Sequence, residues 1–410
     1  MTVRQTAPER LETVAGAQQR LLDLVAPLPP EPVELWSALG RVLAAPVSAR
    51  WDLPGFDNSA MDGYAVRARD LARAATLEPV RLPVRGEAAA GAPPGQLVPE
   101  TAMRILTGAA LPEGADAVVR QEDTERHGDS VVVQVAVRVG TNVRRCGEDV
   151  TAGTVVLHGG RRLTAADIAV AAASGHASLS VGTRPRVALL ATGDELRPAG
   201  EPLAPAEVAD SNSPMLAAAV HEAGGEPVFI GIVADTMDAV RAALRRAAEY
   251  DLIVSSAGVS VGDHDHVQAV LAELGEIALW RVAMRPGKPL LIGRVADTPF
   301  IGLPGNPVSS SVTFELFARP AILQMQGASD PHRRRVRVRL GEDVSKPAQL
   351  ETFARARLCA ADGDVPVATG SGGQGSHMLS GLVAADVLLV LPAGRDVVPA
   401  GTIVEAIPLR

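Results

Sequence analysis

"PRVALLAT" (residues 185–192), "PVFIGIV" (227–233) and "DLIVSS" (251–256) are three short apolar runs, each of a length typical of a buried strand. Two helical patterns, "SPMLAAAVHEAGG" (213–225) and "TMDAVRAALRRAAEY" (236–250), separate them. Strands that alternate with helices of this length predict βαβ units around a parallel sheet that is covered on both faces.

The same rhythm continues towards the C-terminus. "HVQAVLAELG" (266–275) is predicted to be a helix, "LLIGRV" (290–295) and "PFIGLPG" (299–305) are predicted to be strands, and a long helix is predicted to begin at Asn306. These elements together predict an α/β domain.

The segments on either side of this domain have other patterns. "PERLETVAGAQQRLLDLV" (8–25) predicts a helix, "PVELWSALGRVLAAPV" (32–47) a second, short helix, and "LTAADIAVAAASG" (163–175) a helix that ends at a glycine. Residues 79–139 are short β-like runs between Gly-Pro turns, and the last eighty residues predict a small β-barrel or sandwich. The expected fold class is therefore a multidomain α/β plus β protein.

Composition excludes several classes of function. The 410 residues carry a net charge of -8, which argues against general nucleic-acid binding but not against a small anion held by local cations. The two cysteines, Cys146 and Cys359, are far apart in the sequence, which excludes a disulfide framework or a thiolate zinc site. With no signal-peptide core and no apolar run long enough to cross a bilayer, the sequence predicts a soluble, cytoplasmic protein without a membrane partner.

Polar residues follow the predicted strands of the α/β domain, where ligands bind in such sheets. Gly193, Asp194 and Glu195 follow the first strand, Asp235 follows the second, and "AGVSVGDHDH" (257–266) follows the third. Carboxylates from these loops would suit Mg²⁺ against phosphate oxygens. The histidines of "DHDH" leave zinc as a less favoured alternative.

Two further loops have the residues of an anion site. Asn306 and Pro307 suit the start of a helix whose free N–H groups, with Ser309, Ser310 and Ser311, would bind an anion; an ordinary capped helix is the alternative. Arg285 and Lys288 in "MRPGKP" (284–289) lie on a Pro-Gly turn that suits phosphate or another oxyanion, although a solvated turn would have the same composition.

The loop "PGFDNSAMDGYAV" (54–66) interleaves Asp57, Asn58, Ser59 and Asp62 with apolar anchors. Such a loop is held in one shape and either presents functional groups or forms a structural turn. No GxGxxG, P-loop, GxSxG or HExxH pattern accompanies it.

These motifs together resemble the molybdopterin molybdenumtransferases, which insert molybdenum during molybdenum-cofactor synthesis and include the C-terminal domain of gephyrin. The resemblance spans nearly the whole chain and depends on eight segments in the family's order. They are "PGFDNSAMDGYAV", "RILTGAALPEGADAVV", "RRCGEDV", "ATGDEL", "SAGVSVGDHDH", "MRPGKP", "GLPGNPVSS" and "GGQGSHMLSG".

The resemblance implies four subdomains. They are an elongated N-terminal part (1–50 and 140–182), an inserted β-rich unit (51–139), a molybdopterin-binding α/β domain (183–330) and a C-terminal β-barrel (331–410). It also implies a homodimer, in which the inserted unit of one protomer faces the α/β domain of the other. The implied reaction takes adenylylated molybdopterin and molybdate, places molybdenum in the dithiolene and releases AMP in a Mg²⁺-dependent step.

The resemblance also assigns roles to residues. The implied catalytic residues are Asp62, Thr107, Asp149 and Glu195. The implied metal-binding residues are Asp235, Asp263 and Asp265. The implied substrate-binding residues, which contact molybdate or the pterin phosphate, are Arg285, Lys288, Pro304, Pro307, Ser309, Arg355 and Ser376.

This sequence departs from the family pattern at three positions. Arg285 stands where lysine is frequent, Ala257 replaces a common glycine, and His266 replaces a frequent tyrosine. Three alternative functions remain open: a molybdopterin adenylyltransferase, a non-catalytic scaffold that binds a partner, and a zinc hydrolase. The sequence does not distinguish molybdate from tungstate as the preferred substrate.

Overall fold

The structure is a computed structural model, and it describes residues 11–259, 266–359 and 365–409. A six-stranded sheet, here called the central sheet, forms the α/β part. Its strands, in spatial order, are Glu226–Val233, Arg186–Thr192, Leu252–Ser256, Thr298–Leu303, Leu291–Val295 and Gly275–Trp280. The α/β prediction is confirmed, with one difference: the first four strands of this order are parallel, and the last two run antiparallel to their neighbours.

The difference arises from the connection between Leu291–Val295 and Thr298–Leu303. Only Ala296 and Asp297 join these strands, and a two-residue turn permits only an antiparallel hairpin, since a parallel crossover needs a dozen or more residues. The strand register pairs Val295 with Thr298, as the tight turn requires.

Two apolar layers cover the central sheet because its strand residues alternate between its faces. Val187 and Leu189 belong to one buried cluster, and Ala188 and Leu190 belong to the other. The first layer contains the helices Val14–Leu24, Asn212–Glu222, Pro307–Thr313 and Arg319–Met325, with a π-helical turn at Phe314–Ala318. The second contains the helices Met237–Ala247 and His266–Leu274.

A second six-stranded sheet, here called the insert sheet, comes from the inserted segment. Its spatial order is Ala117–Arg120, Gly63–Val66, Ala102–Ile105, Val80–Ala88, Ser130–Val133 and Thr124–His127. The β-rich prediction for this region is confirmed. The insert sheet has buried clusters of its own, so its packing is separate from the core of the central sheet.

The N-terminal part contains one wrong prediction. The helix predicted for residues 32–47 is absent, and the strand Pro30–Glu34 lies there instead, followed by the single 3-10 turn Leu35–Ser37. Pro30 and Pro32 disfavour a helix, and the strand pairs with Ser178–Gly182 across a long sequence separation. The other two predicted helices form as Val14–Leu24 and Ala165–Ala173, the latter with a Thr164–Asp167 capping box.

The C-terminal part is a closed barrel. The strands Glu351–Cys359, Val367–Gly370, Val336–Leu340, Ile403–Pro408 and Val387–Leu391 pair in a ring, because the first also pairs with the last. The short strand Met284–Arg285, which follows the central sheet in the chain, adds to the edge of Glu351–Cys359. The segment that contains Arg285 is thereby fixed between the two units.

Short elements complete the described fold. They are the strand pairs Val47–Ser48 with Val155–Leu157, Asn58–Ser59 with Val143–Arg144, Leu196–Arg197 with Val208–Ala209, and Val344–Ser345 with Val397–Val398, the 3-10 turns Ala68–Leu71 and Gln121–Asp123, and the helix Ser380–Val383. Within the described ranges, none of the helices has the length and apolar character needed to cross a bilayer.

Candidate functional site

A cavity of about 670 Å³ lies at the carboxyl ends of the parallel strands; it is here called the sheet-edge cavity. Its lining includes Glu195, Gly258 and Pro304. In chain order, these residues follow the first, third and fourth of the parallel strands. The first strand, Arg186–Thr192, lies between the second and the third in the sheet, so the strand order reverses there. Such a switch point is where open α/β sheets bind ligands.

Asn212 fixes the floor of the sheet-edge cavity. This buried residue begins the helix Asn212–Glu222, and its amide Nδ2 donates to the Ser256 hydroxyl and to the Gly305 carbonyl, both at 2.7 Å. One side chain therefore joins the ends of two strands. The sequence analysis did not identify Asn212, because nothing in the sequence shows that residues so far apart meet.

The loop after the third strand is tightly folded. Ala257 has a φ of 70°, in the left-handed region that favours glycine, and its N–H donates to the Leu303 carbonyl at 3.0 Å. Gly258 has a φ of 76°, and a Cβ there would lie 2.3 Å from Val267 Cγ2. The glycine that the family commonly has at position 257 therefore suits the backbone conformation there.

An acidic rim lies beside the ends of the first two strands. The Asp235 N–H donates to Asp194 Oδ1 at 3.1 Å, and Glu195 is the residue directly after Asp194. Partial burial raises the pKa of Asp235, and the negative charge of Asp194 raises it further. Negative charge is therefore crowded at this rim.

The implied Mg²⁺ site is only partly described. Asp263 and Asp265, two of its three predicted ligands, lie outside the described residues. Among the residues that the structure describes, no three His, Cys, Asp or Glu side chains converge on a possible metal position. Asp235 nevertheless fits the ion, because Mg²⁺ prefers carboxylate oxygens and would offset the crowded charge that raises the pKa of this group.

A second cavity, of about 320 Å³, adjoins the first and is here called the cationic cavity. Arg285, Lys288, Ser309 and Ser376 line it, so the structure brings four of the predicted substrate-binding residues together. Pro289 lines both cavities, while the predicted Pro304 and Pro307 line the sheet-edge cavity.

Lys346 is a third cation of the cationic cavity that the sequence analysis missed. It is buried, and its ammonium donates to the carbonyls of Pro347 and Leu350 at 3.3 and 3.1 Å. Burial lowers its pKa. A single lysine after a short strand carries no sequence signal that distinguishes it from a surface lysine.

The helix that begins at Pro307 has fewer free backbone N–H groups at its start than the sequence predicts. The Val308 N–H donates to the Ser376 carbonyl at 3.0 Å, and the Asn306 side chain makes no capping hydrogen bond. The loop that contains Ser376 therefore caps this helix. Of the three predicted serines, Ser309 lines the cationic cavity, whereas Ser310 and Ser311 line neither cavity.

Arg355 holds the loop that closes both cavities. Its guanidinium is buried and donates to the carbonyls of Gly373, Gly375 and Met378, at 2.8, 3.1 and 2.7 Å. Gln374 adds two hydrogen bonds to the Arg355 backbone. This loop, residues 371–379, is here called the barrel loop; Ser376 faces the cationic cavity and His377 the sheet-edge cavity.

The opening loop presents a fixed carboxylate on the insert. Asp62 Oδ1 accepts from both the backbone N–H and the hydroxyl of Thr107, each at 2.7 Å. These bonds hold the pKa of Asp62 below its ordinary value, and the backbone N–H has the larger effect. Two of the four predicted catalytic residues, Asp62 and Thr107, are therefore in direct contact, and Asp62 stays ionised while exposed to solvent.

Two other aspartates fix the segment that contains Asp149. Asp57 accepts from the Cys146 N–H and from Arg145, and Asp52 accepts from the Ala152 N–H. The Asp149 N–H itself donates to the Leu53 carbonyl, and its side chain is exposed. Asp149 therefore lies next to the start of the opening loop.

Three predicted catalytic residues, two on the insert and one on the N-terminal part, are not part of the cavities within one chain. As far as the described ranges go, neither Asp62, Thr107 nor Asp149 lines the sheet-edge cavity or the cationic cavity. The predicted site residues thus form two groups, one at the opening loop and its neighbour Asp149, and one over the central sheet.

Three family profiles match consecutive parts of the chain. Residues 12–175 match "MoeA N-terminal region (domain I and II)", residues 188–324 match "Probable molybdopterin binding domain", and residues 337–409 match "MoeA C-terminal region (domain IV)".

Characterised proteins match over nearly the full length. The molybdopterin molybdenumtransferase 2 of Mycobacterium tuberculosis is 41% identical over 400 residues, which cover 96% of this chain and 98% of the relative. The molybdopterin molybdenumtransferase of Nostoc is 40% identical over 90% of this chain and 87% of the relative. The crystal structure of the molybdopterin biosynthesis MoeA protein of Pyrococcus horikoshii superposes with a TM-score of 0.84 at 29% identity, covering 97% of this chain and all of that one.

Proposed function

This chain belongs to the MoeA family of molybdopterin molybdenumtransferases, and on that premise we propose that it inserts molybdenum from molybdate into adenylylated molybdopterin and releases AMP. The enzyme is thus a transferase of molybdenum-cofactor biosynthesis. The free thiols of Cys146 and Cys359 support a reducing, cytoplasmic compartment as its place of work.

The observation that carries the proposal is the pair of adjoining cavities. The sheet-edge cavity, at about 670 Å³, has the volume of a site for a nucleotide-sized ligand, and the cationic cavity beside it has the volume and charge for an oxyanion. A reaction that joins an oxyanion to a nucleotide-linked pterin requires two such sites next to each other.

The cationic cavity would bind molybdate. Arg285, Lys288 and Lys346 would offset the two charges of the anion, and the hydroxyls of Ser309 and Ser376 would donate to its oxygens. The barrel loop, held by Arg355, would keep the anion close to the dithiolene and exclude water. These groups would lower the barrier through proximity and charge stabilisation.

The acidic rim would hold Mg²⁺ through Asp235, with Asp263 and Asp265 as its other predicted ligands. When bound, the ion would supply charge neutralisation for the phosphoanhydride of the adenylylated substrate. Glu195 at the same rim would orient the substrate beside the scissile bond, as its place in the cavity lining suggests.

Asp62, Thr107 and Asp149 would act from the second subunit of a homodimer. The Asp62 carboxylate is exposed, ionised and held by two hydrogen bonds, as a group must be that meets a substrate on another chain. Asp62 lines neither cavity within one chain, which favours this arrangement over a site in a single protomer.

The first experiment measures AMP release from adenylylated molybdopterin, with and without molybdate and Mg²⁺. We expect release only when both are present, and its loss in Asp62→Asn. Binding of the substrate without any release would instead favour a non-catalytic scaffold, and consumption of ATP with molybdopterin would favour an adenylyltransferase.

A complementation experiment tests the shared site. Asp62→Asn and Lys288→Ala each remove one half of it, so each variant alone should be inactive. Mixed and re-equilibrated, they should recover about a quarter of the wild-type rate, because half of the dimers are mixed and each mixed dimer has one intact site. No recovery, despite mixed dimers detected by mass spectrometry, would mean that both residues act in the same subunit.

A further inference from the structure

A third cavity lies where the N-terminal part, the α/β unit and the barrel meet; it is here called the junction cavity. Its volume is about 320 Å³, and Gly160, Arg162, the helix Arg319–Met325, the linker 328–334 and Pro408 contribute to its lining. It shares no lining residue with the sheet-edge cavity or the cationic cavity.

Four arginines line this cavity: Arg162, Arg319, Arg333 and Arg334. Among the described residues, three carboxylates are near them: Asp330 in the lining, Glu315 behind it, and Glu222, whose charge acts on Arg162 and Arg319. Glu315 pairs with both Arg333 and Arg319, but its contact with Arg319 is long, at 3.7 Å. The junction cavity therefore has more positive than negative charge.

Within the described ranges, Arg162 and Arg334 form no ion pair. Arg162 donates only to neutral groups, the carbonyls of Gly40 and Glu222 at 3.0 and 2.8 Å. Arg334 is exposed and, within the described ranges, makes no hydrogen bond or ion pair. Burial lowers the pKa of Arg162 and of Arg319, and neighbouring arginines lower it further against the opposite effect of nearby glutamates.

We propose that the junction cavity binds a small multivalent oxyanion of the phosphate class, held by the guanidinium groups of Arg162, Arg319 and Arg334. Guanidinium groups bind phosphate oxygens in a planar, two-point geometry. The volume is at the lower end for ligand pockets and suits orthophosphate or pyrophosphate rather than a nucleotide.

A bound phosphate would join three parts of the fold. Gly160 already packs closely on the linker, since a Cβ there would lie 2.7 Å from Ser329 Cβ, and the Ser329 N–H donates to the Gly160 carbonyl at 3.0 Å. An anion between Arg162 on one side and Arg319 and Arg334 on the other would add charge-assisted bonds across the same junction. We therefore expect phosphate to stabilise the assembled chain.

The test is calorimetric titration of the full-length protein with sodium phosphate and with sodium pyrophosphate, in a buffer free of other multivalent anions. Wild type should show saturable binding with a Kd on the order of 1 mM or lower. Arg334→Gln should weaken it at least about tenfold, the loss expected for one charge-assisted contact. Because Arg334 is exposed, this variant should fold as wild type does, and circular dichroism checks it.

Two control variants separate this site from its neighbours. Arg337→Gln removes an exposed arginine three positions along the chain that lines none of the three cavities, and should leave phosphate binding unchanged. Lys288→Ala removes a cation of the cationic cavity, so it should weaken any phosphate binding there and leave unchanged the binding that Arg334→Gln weakens. The proposal is overturned if wild type shows no saturable binding, or if Lys288→Ala abolishes binding while Arg334→Gln keeps it.

Discussion

The opening loop on the insert and the covered edge of the central sheet both carry aspartates of the proposed site, in opposite environments. Asp62 is exposed, and hydrogen bonds from Thr107 hold its pKa below the ordinary value. Asp235 is partly buried near Asp194 and Glu195, and its pKa is raised. The fold therefore stabilises the charged form of Asp62 and destabilises that of Asp235, which a bound cation would offset.

The two regions differ in strain as well as in charge. The opening loop is held by ordinary hydrogen bonds and open to solvent, whereas the sheet edge has a left-handed Ala257 and lies under a loop held by the buried Arg355. This difference indicates that the insert supplies a preformed group, and that the sheet edge is a region which substrate and metal would stabilise.

The largest expected effect is that of Asp62→Asn on the rate. The substitution keeps the shape of the side chain and removes its charge, so AMP release should fall on the order of 10²–10³-fold. The melting temperature should change by less than about 2 °C, because the carboxylate is exposed. Single-turnover kinetics and thermal unfolding measure the two effects.

Asp129→Asn is the matched control for this variant. Asp129 is an exposed aspartate of the same insert, at the turn between the strands Thr124–His127 and Ser130–Val133. Its neutralisation should leave the rate unchanged. An equal loss of rate in both variants would show that the overall charge of the insert matters and that Asp62 has no special role.

Arg355→Ala should affect both stability and rate, in contrast to Asp62→Asn. The substitution leaves the carbonyls of Gly373, Gly375 and Met378 without their donor, which costs about 3 kcal/mol of unfolding free energy. The barrel loop would then no longer hold Ser376 in place, and AMP release should fall about 100-fold. Urea unfolding and the AMP assay measure these changes.

Arg357→Ala is its control. Arg357 is on the same strand and exposed, and makes one hydrogen bond, to the Ala384 carbonyl at 3.2 Å. Its loss should cost less than about 0.5 kcal/mol. If the two variants unfolded at the same urea concentration, the assignment of Arg355 as the residue that positions the barrel loop would be wrong.

The behaviour of Arg355 shows where sequence analysis reaches its limit. The family resemblance identified the residue, but the implied contact with molybdate or the pterin phosphate stays a prediction, because all the bonds of the guanidinium that the structure describes go to backbone carbonyls. Arg355 and Arg357 are two positions apart, so they lie on the same face of the strand, but only Arg355 is buried. Which part of a face is covered depends on a loop about twenty positions later, and strand periodicity cannot show that.

The fold was predictable where the signal is local. The strands and helices of the central sheet follow from runs of apolar residues, and their alternation predicts the layered arrangement. The antiparallel pair could have been recognised from the two residues that separate its strands. The strand Pro30–Glu34 could not be recognised from the sequence, because its partner Ser178–Gly182 is remote in the chain.

Asp235→Asn should increase the stability of the metal-free protein, by less than about 1 kcal/mol because the group is only partly buried. The pKa of Asp235 is raised above its ordinary value of 3.8, so the folded chain holds this proton more tightly than the unfolded chain. The stability that Asp235 contributes by holding this proton is fully present below pH 3.8, and it is lost as the pH rises through the pKa of the folded state. The advantage of the variant should therefore grow with pH, as thermal unfolding from pH 4 to 7 would measure.

Mg²⁺ should reverse the order of the two proteins. At ten times its Kd, the ion should stabilise the wild type by about 1.4 kcal/mol, whereas Asp235→Asn should gain much less. Asp194, Glu195 and His266 also act on Asp235, and Glu195→Gln tests how much of the pH effect comes from Glu195. Equal stabilisation of wild type and Asp235→Asn by Mg²⁺ would remove Asp235 from the proposed metal site.

The smallest expected effect is that of Ala257→Gly, which tests the strain at the sheet edge. The left-handed conformation costs an L-residue about 1–2 kcal/mol, and glycine regains this but loses about 0.4–1 kcal/mol through the freedom of the unfolded chain. The net result should be a stabilisation of about 0.5 kcal/mol. Ala191→Gly, at a buried strand position with ordinary φ, should instead destabilise by about 1 kcal/mol. Effects of opposite sign in urea unfolding would locate the strain in the loop after the third strand, and equal destabilisation would show that Ala257 has no strain for glycine to relieve.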